Sequence, residues 1–412
     1  MKRKTIIVML TFVLIVKVST AQIKTGSETN VPANIKSDLL TKVLSFGDDN
    51  LPSEYLLADP WVLRVNARND IYIFDEQKIK VYDSSGKPKC IIGGPGEGPG
   101  EFGKYPNSVS ITPAGYITAS YNNTIYNIFK PDNSFIKKSD LKFNTVFNNF
   151  IKDTNLMLTR FSPVSMITAL NENTLIMECS LTNPSVEKSG IRVQGLLYLT
   201  DKEAHFVAKS EVLWGKIGNW LTFHWSFINE RTIVYSSANF TTDTNIQNKA
   251  QSEYIINIAD ITGAKKDEIR HKYQPVFFPD SIKKQLDADI NRTKSMSSNQ
   301  MYVLGAGGIE SVMGMIQTDE RIRDFGQYSP IQKIRTDGKY IFVFTHTVNK
   351  KGEIYTDIFD AETLKYINFV YFPFIPLVIK NGYAYRFNDF ENNKAIYPKV
   401  EKYTIDHSVY GK

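Results

Sequence analysis

Cysteine is scarce: the 412-residue chain has two, Cys90 and Cys179. A small scaffold stapled by several disulfides is therefore excluded. Neither cysteine has a His or Cys neighbour at ligand spacing, so they do not form a zinc pair. Each sits in an apolar, strand-like stretch, KCII and LIMECS. Two buried free thiols are expected, although an exported chain would also permit a bridge between them. Histidine is almost as sparse. His205, His224, His271, His346 and His407 are the full set, and no His-Glu-x-x-His site is among them. The chain has no Gly-x-Ser-x-Gly nucleophile elbow and no Gly-Lys-Ser/Thr phosphate loop. Local catalytic signatures are thus missing, which leaves open only a site assembled from distant residues. Beyond the first residues there is no apolar run of the roughly 20 residues needed for a membrane helix. The most apolar late stretch, Tyr366 to Ile379, contains two prolines and reads as strand. A strong charge excess is also lacking. The formal charge is +6, but residues 1–21 hold Lys2, Arg3, Lys4 and Lys17 and no acid, leaving about +2 for the rest. That gives no support to nucleic acid or an anionic membrane as a partner.

What the sequence does have begins at its start. Lys2 to Lys4 are basic, Thr5 to Val16 is almost wholly apolar, and Ser19-Thr20-Ala21 are small. This is the order of a secretory signal over residues 1–21. Cleavage before Gln22 is expected, with the mature protein periplasmic or extracellular. An uncleaved anchor is the competing reading, and the apolar run is short for it. Residues 22–37 are polar and read as a flexible lead-in.

From residue 38 to 409 one pattern recurs. An apolar strand, a tight turn and a second strand are followed by an alternating hairpin with a polar turn. The first half of the unit occurs at 61–75, 107–121, 164–180, 225–237, 331–346 and 377–389. The second half occurs at 79–92, 124–138, 195–209, 254–269, 355–369 and 399–409. The turns NARND, TPAG, NEN, NER, TDG and KNG suit sharp reversals. With 22 Tyr and 25 Phe among many Ile and Val, the composition favours strands. A four-stranded sheet cannot bury both faces alone, whereas a ring of six can. The expected fold is all-β, a six-bladed β-propeller with a short helical insertion. An open stack of sandwiches is the alternative. The insertion covers about 277–320. Within it, Ile282, Leu286 and Ile290 have helical spacing after Pro279-Asp280, and 301–317 reads as a packed, glycine-rich loop, a partner surface being the other reading. The segment LLTKVLSF near residue 40 is a candidate strand that would complete the sixth unit and tie the two ends of the chain together.

The most distinctive block is IIGGPGEGPGEFGKYPNSVSI, residues 91–111. Pro95 and Pro99 remove amides that a phosphate cradle would need, and no helix begins after the glycines. Several residues instead carry a resemblance: the strand Ile79–Tyr82, the turn at Asp83 and Gly86, Gly94, Gly96, the run Gly98-Pro99-Gly100-Glu101-Phe102, Pro106 and Ala114-Gly115. With these the chain resembles NHL-type propellers, and more narrowly the six-bladed propeller family of exported proteins in Bacteroidetes-like bacteria. The resemblance implies that this block leaves the outer strand of one blade for the inner strand of the next, with Phe102 at the blade junction. It implies no particular activity.

By register, Trp61, Asn107 and His224 fall near the starts of inner strands, where loops meet the central channel. These are the candidate binding residues. Trp214, Trp220 and Trp225 add aromatic surface near the fourth inner strand, on which sugar or peptide could stack; packing between blades is the other reading. Arg64 is a candidate channel charge. The expected function is an exported binding or interaction propeller for peptide, protein or glycan. The alternative is a propeller hydrolase or lyase with a polar or divalent-metal site in the channel. No cofactor is predicted for the first reading. Calcium would accompany the second.

Overall fold

The computed structural model describes residues 39–47, 50–103, 106, 108–121, 123–154, 156–158, 164–182, 191–213, 223–236, 253–264, 266–296, 309–388 and 398–411. The signal-like residues 1–21 and the lead-in 22–37 lie outside them.

Six small antiparallel sheets form a ring. Blade 1 comprises Val62–Val65, Ile71–Asp75, Lys78–Tyr82 and Pro88–Ile92, and blade 2 Ser108–Ile111, Ile117–Tyr121, Ile125–Phe129 and Phe135–Asp140. Blade 3 has Val164–Ala169, Leu175–Thr182, Ile191–Leu199 and Ala204–Leu213, with the two-residue strand Met157–Leu158 added beside its second strand. Blade 4 is Trp225–Phe227, Thr232–Ser236, Glu253–Asp260 and Lys266–Lys272. Blade 5 is Lys333–Asp337, Tyr340–Val348, Ile354–Asp360 and Lys365–Phe372. Blade 6 takes Val378–Lys380, Tyr383–Phe387 and Val400–Ile405 from the end of the chain and its outermost strand, Leu40–Phe46, from the beginning. That last strand pairs antiparallel from Leu40 opposite Ile405 to Phe46 opposite Val400, with a bulge between Lys42 and Leu44. The ring closes non-covalently through this pairing.

Strict apolar–polar alternation is weak in this chain for a physical reason. The middle strands of a blade are covered on both faces by the neighbouring blades. Ile71–Asp75 and Ile117–Tyr121 are buried throughout, while the outer strand Phe135–Asp140 is only partly covered. A buried core fills each of the six blade junctions. Phe74, Phe102 and Phe129 join blades 1 and 2; Ile73, Tyr82, Tyr385 and Val400 join blade 1 to blade 6.

Three α-helices interrupt the ring among the described residues. Helix α1, Thr145–Asp153, follows blade 2; the Asn144 side chain caps it by accepting from the Phe147 amide at 2.8 Å. Phe147 is buried, and Phe150 packs edge-on to Phe206 of blade 3. Helices α2, Asp280–Lys294, and α3, Ile309–Phe325, lie between blades 4 and 5 and pack on each other through Ile290, Val312, Met315 and Ile316. The spacing of Ile282, Leu286 and Ile290 identified α2. Residues 309–317, read as a loop, are helix instead, and 301–308 lie outside the described residues. No described helix is long and apolar enough to cross a membrane.

Cys90 and Cys179 are free thiols. Burial pushes the Cys179 thiol up to about 12, so it stays protonated.

Candidate functional site

The first strand of every blade lines the centre of the ring, and first strands touch one another at the junctions of blades 1 and 2, 2 and 3, 4 and 5, 5 and 6, and 6 and 1. Hydroxyl groups tie them together. Ser110 Oγ donates to the Ile167 carbonyl at 2.9 Å, and Thr336 Oγ1 donates to the Phe227 carbonyl at 2.6 Å. The strands enclose a cavity of about 380 Å³ to which all six contribute; Arg64, Ser110, Thr168, Trp225, Arg335 and Ile379 represent blades 1 to 6 in turn. A volume of this size suits a small molecule or the end of a longer ligand.

The polarity of the lining is unequal. Arg64 of blade 1, Lys333 and Arg335 of blade 5, and Lys380 of blade 6 all border the cavity. Strand alternation places Lys333 and Arg335 on the same face. Arg64 Nη1 donates to the Leu63 carbonyl at 2.9 Å. Arg335 Nε donates to the Pro376 carbonyl at 2.9 Å and its Nη1 to the Ile334 carbonyl at 3.1 Å. Both arginines lie deep in the ring, yet each keeps a half-buried surface towards the channel. Burial lowers the pKa of Arg64. Burial, with Arg64 adding its repulsion, pushes Arg335 down to about 10. Burial also takes Lys333 down to about 8; repulsion from Arg335 and Arg64 reinforces this and Glu178 opposes it. The Glu178 carboxylate accepts the Trp225 indole N–H at 3.0 Å. Trp225 in turn packs edge-on to Phe227, with centroids 5.2 Å apart. The cavity therefore combines a cationic side with an aromatic one.

Trp61 directly precedes the inner strand of blade 1. It is 44% exposed, its ring stands edge-on to Phe74, and its backbone N–H donates to the Phe74 carbonyl. His224 is only 7% exposed and is bonded twice to Ser236 through its backbone: its N–H donates to the Ser236 side-chain Oγ and its carbonyl accepts from the Ser236 N–H. Burial, then Lys333 and Arg335, push its imidazole down to about 3, so the ring is neutral at physiological pH. Neither Trp61 nor His224 borders the cavity. Asn107, Trp214 and Trp220 lie outside the described residues. Arg64 and Trp225 do border it. Lys333 and Arg335 were not singled out in the sequence, although the run KIRTD carries their signal: two cations at alternate positions of a first strand.

Among the described residues, no group of three or more His, Cys, Asp or Glu is placed to hold a metal ion.

No family model matches the chain, and no curated protein matches it in sequence. Among solved structures the similarities are low in both sequence and superposition. A predicted exported protein of Bacteroides fragilis is 13% identical, over 91% of this chain and 98% of its own, with a TM-score of 0.46. A member of the DUF4221 family from Bacteroides vulgatus is 11% identical, over 89% and 97%, with a TM-score of 0.49. The Pan2 WD40 domain of Neurospora crassa is 10% identical, over 85% and 78%, with a TM-score of 0.34.

Proposed function

We propose that this chain is an exported binding protein that takes its ligand, part of a peptide, protein or glycan, into the central channel. The signal-like residues 1–21 and the resemblance to the six-bladed propeller family of exported bacterial proteins support export. The observation that carries the binding reading is the cavity of about 380 Å³ shared by all six inner strands, with hydroxyl, cationic and aromatic groups converging on it. Rigid strands hold those groups, as a binding site requires. The test is calorimetric titration of a panel of short peptides and oligosaccharides against the wild type and Ser226→Trp, which fills the channel. Ser226→Leu serves as a milder variant. Saturable 1:1 binding is expected, reduced by Ser226→Leu and abolished by Ser226→Trp in protein with unchanged circular dichroism. Ligands that bind both folded variants as tightly as the wild type would place the site elsewhere.

A further inference from the structure

Several basic residues elsewhere in the ring are matched with acids, while buried Lys402 donates to the Ser84 carbonyl and lies over the Tyr383 ring. Lys80 meets Asp75, Lys89 meets Asp70, Lys339 meets Asp360 and Arg386 meets Glu401. The channel cations are different. Among the described residues, Arg64, Lys333, Arg335 and Lys380 form no ion pair with a carboxylate. The hydrogen bonds of the two arginines run to backbone carbonyls through Nη1 of Arg64 and through Nε and Nη1 of Arg335. The Nη2 group of each has no described protein acceptor. The nearby acid, Glu178, already accepts from Trp225. Like charges gathered where burial lowers the pKa of Arg64, Lys333 and Arg335 are unfavourable without a counter-charge. An anion entering the channel would remove that cost.

We propose that the channel is an oxyanion site: Arg64, Arg335 and Lys333 hold a carboxylate, sulfate or phosphate group of the ligand, whose adjoining part packs against Trp225 and Phe227. This rests on the reading of the channel as the binding site and names the chemistry of what enters it. Two planar guanidinium groups, one from blade 1 and one from blade 5, flank the inner strand of blade 6. The guanidinium fork matches an oxyanion in a way a lone ammonium does not. The aromatic pair faces the same cavity from blade 4, so the ligand is expected to be an anion with an apolar or ring-shaped body.

The experiment is titration calorimetry on the full exported chain at low ionic strength. The oxyanion probes are benzoate, phenyl sulfate and phenyl phosphate. Acetate, inorganic sulfate and inorganic phosphate lack the ring, benzamide lacks the charge, and a short peptide is used with a free or an amidated C-terminus. At least one aryl oxyanion should bind 1:1, more tightly than its ring-free counterpart, and added NaCl should weaken it. Benzamide and the amidated peptide should not bind. Arg64→Gln and Arg335→Gln should each weaken that anion by about tenfold or more. Lys365→Gln, on the exposed outer strand of blade 5, should leave it unchanged. Arg64→Lys, which keeps the charge and loses the fork, should fall between Arg64→Gln and wild type and guards against a folding defect. Benzamide binding as tightly as benzoate would overturn the proposal. So would undiminished anion binding in folded Arg64→Gln and Arg335→Gln. If only neutral ligands bind, and Ser226→Trp abolishes them, the channel site stands and its anion chemistry falls. If no ligand responds to Ser226→Trp, both fall.

Discussion

Lys80 shows what a buried cation needs in this protein. Its side chain is 1% exposed and that of Asp75 is 0% exposed, with the ammonium 2.6 Å from the carboxylate. The ammonium also donates to the Leu56 carbonyl at 2.5 Å, and Asp75 accepts from the Asp59 amide at 2.6 Å and from the Ala58 amide. The pair thereby ties two strands of blade 1 to the segment that leads in from the closing strand. Breaking such a pair leaves one charge buried alone, whereas replacing both partners together does far less harm. Lys80→Met should cost about 3–5 kcal/mol, and Lys80→Met with Asp75→Asn should cost less than the sum of the single changes. Urea unfolding of the four proteins in the cycle measures this; additive costs would show that the pair is not coupled. In the sequence, Lys80 in IKVYD reads as an ordinary solvent-facing position of an alternating strand. Its partner cannot be identified there, because Asp75 and Leu56 reach it only through folding. The unpaired arginines of the channel stand out against this pair.

Gly93 illustrates what the glycine-rich crossing does as an element. It connects the outer strand of blade 1 to the inner strand of blade 2, as the resemblance implied. Phe102 is fully buried at that junction, and its N–H donates to the Gly94 carbonyl at 2.9 Å. Gly93 has φ +70°, and a Cβ added there would meet the Phe102 ring at 2.3 Å; Gly94 has φ +146° with open space around it. Alanine is strained at both positions, by about 1–3 kcal/mol. At Gly93 it also collides with the ring, which adds about 1–3 kcal/mol. Gly93→Ala should therefore destabilise more than Gly94→Ala, and the difference should vanish in a Phe102→Ala background. Thermal unfolding of these variants tests it, and equal effects with Phe102 intact would show that the ring yields freely. The crossing was legible because it is a tight loop that only glycine permits. Blades 2 and 3 are instead connected through α1, and blades 4 and 5 through α2 and α3, so the motif has no reason to recur there. Helix α3 was missed because the glycines at 305, 307, 308 and 314 dominate residues 301–317. Its buried residues Val312, Met315, Ile316 and Ile322 complete a helical pattern only beyond that window.

The six-unit rhythm was legible because each blade repeats two hairpins with polar turns, even with little identity between copies. The last unit had one outer strand too few, and its fourth strand comes from Leu40–Phe46. The channel was less legible, since Arg64, Trp225 and Arg335 are far apart in the chain and meet only once the ring closes. Closure depends on a short strand with contacts on two sides. It pairs with Val400–Ile405 of blade 6, while Phe46 packs against Tyr82 of blade 1 at 4.8 Å between ring centroids. Removing residues up to 47 would bare the edge of Val400–Ile405 and open the junction core between blades 6 and 1. Such a chain should unfold at a lower urea concentration than the wild type. A peptide spanning residues 39–47 should bind it 1:1 by strand addition and raise its midpoint again. Replacing Phe46 by Ala in that peptide should weaken the rescue, because the phenyl ring supplies the contact to blade 1 while the backbone supplies only the contact to blade 6. An unchanged midpoint on truncation would mean that the other five junctions hold the ring without its closing strand. Rescue independent of Phe46 would mean that strand pairing alone closes it.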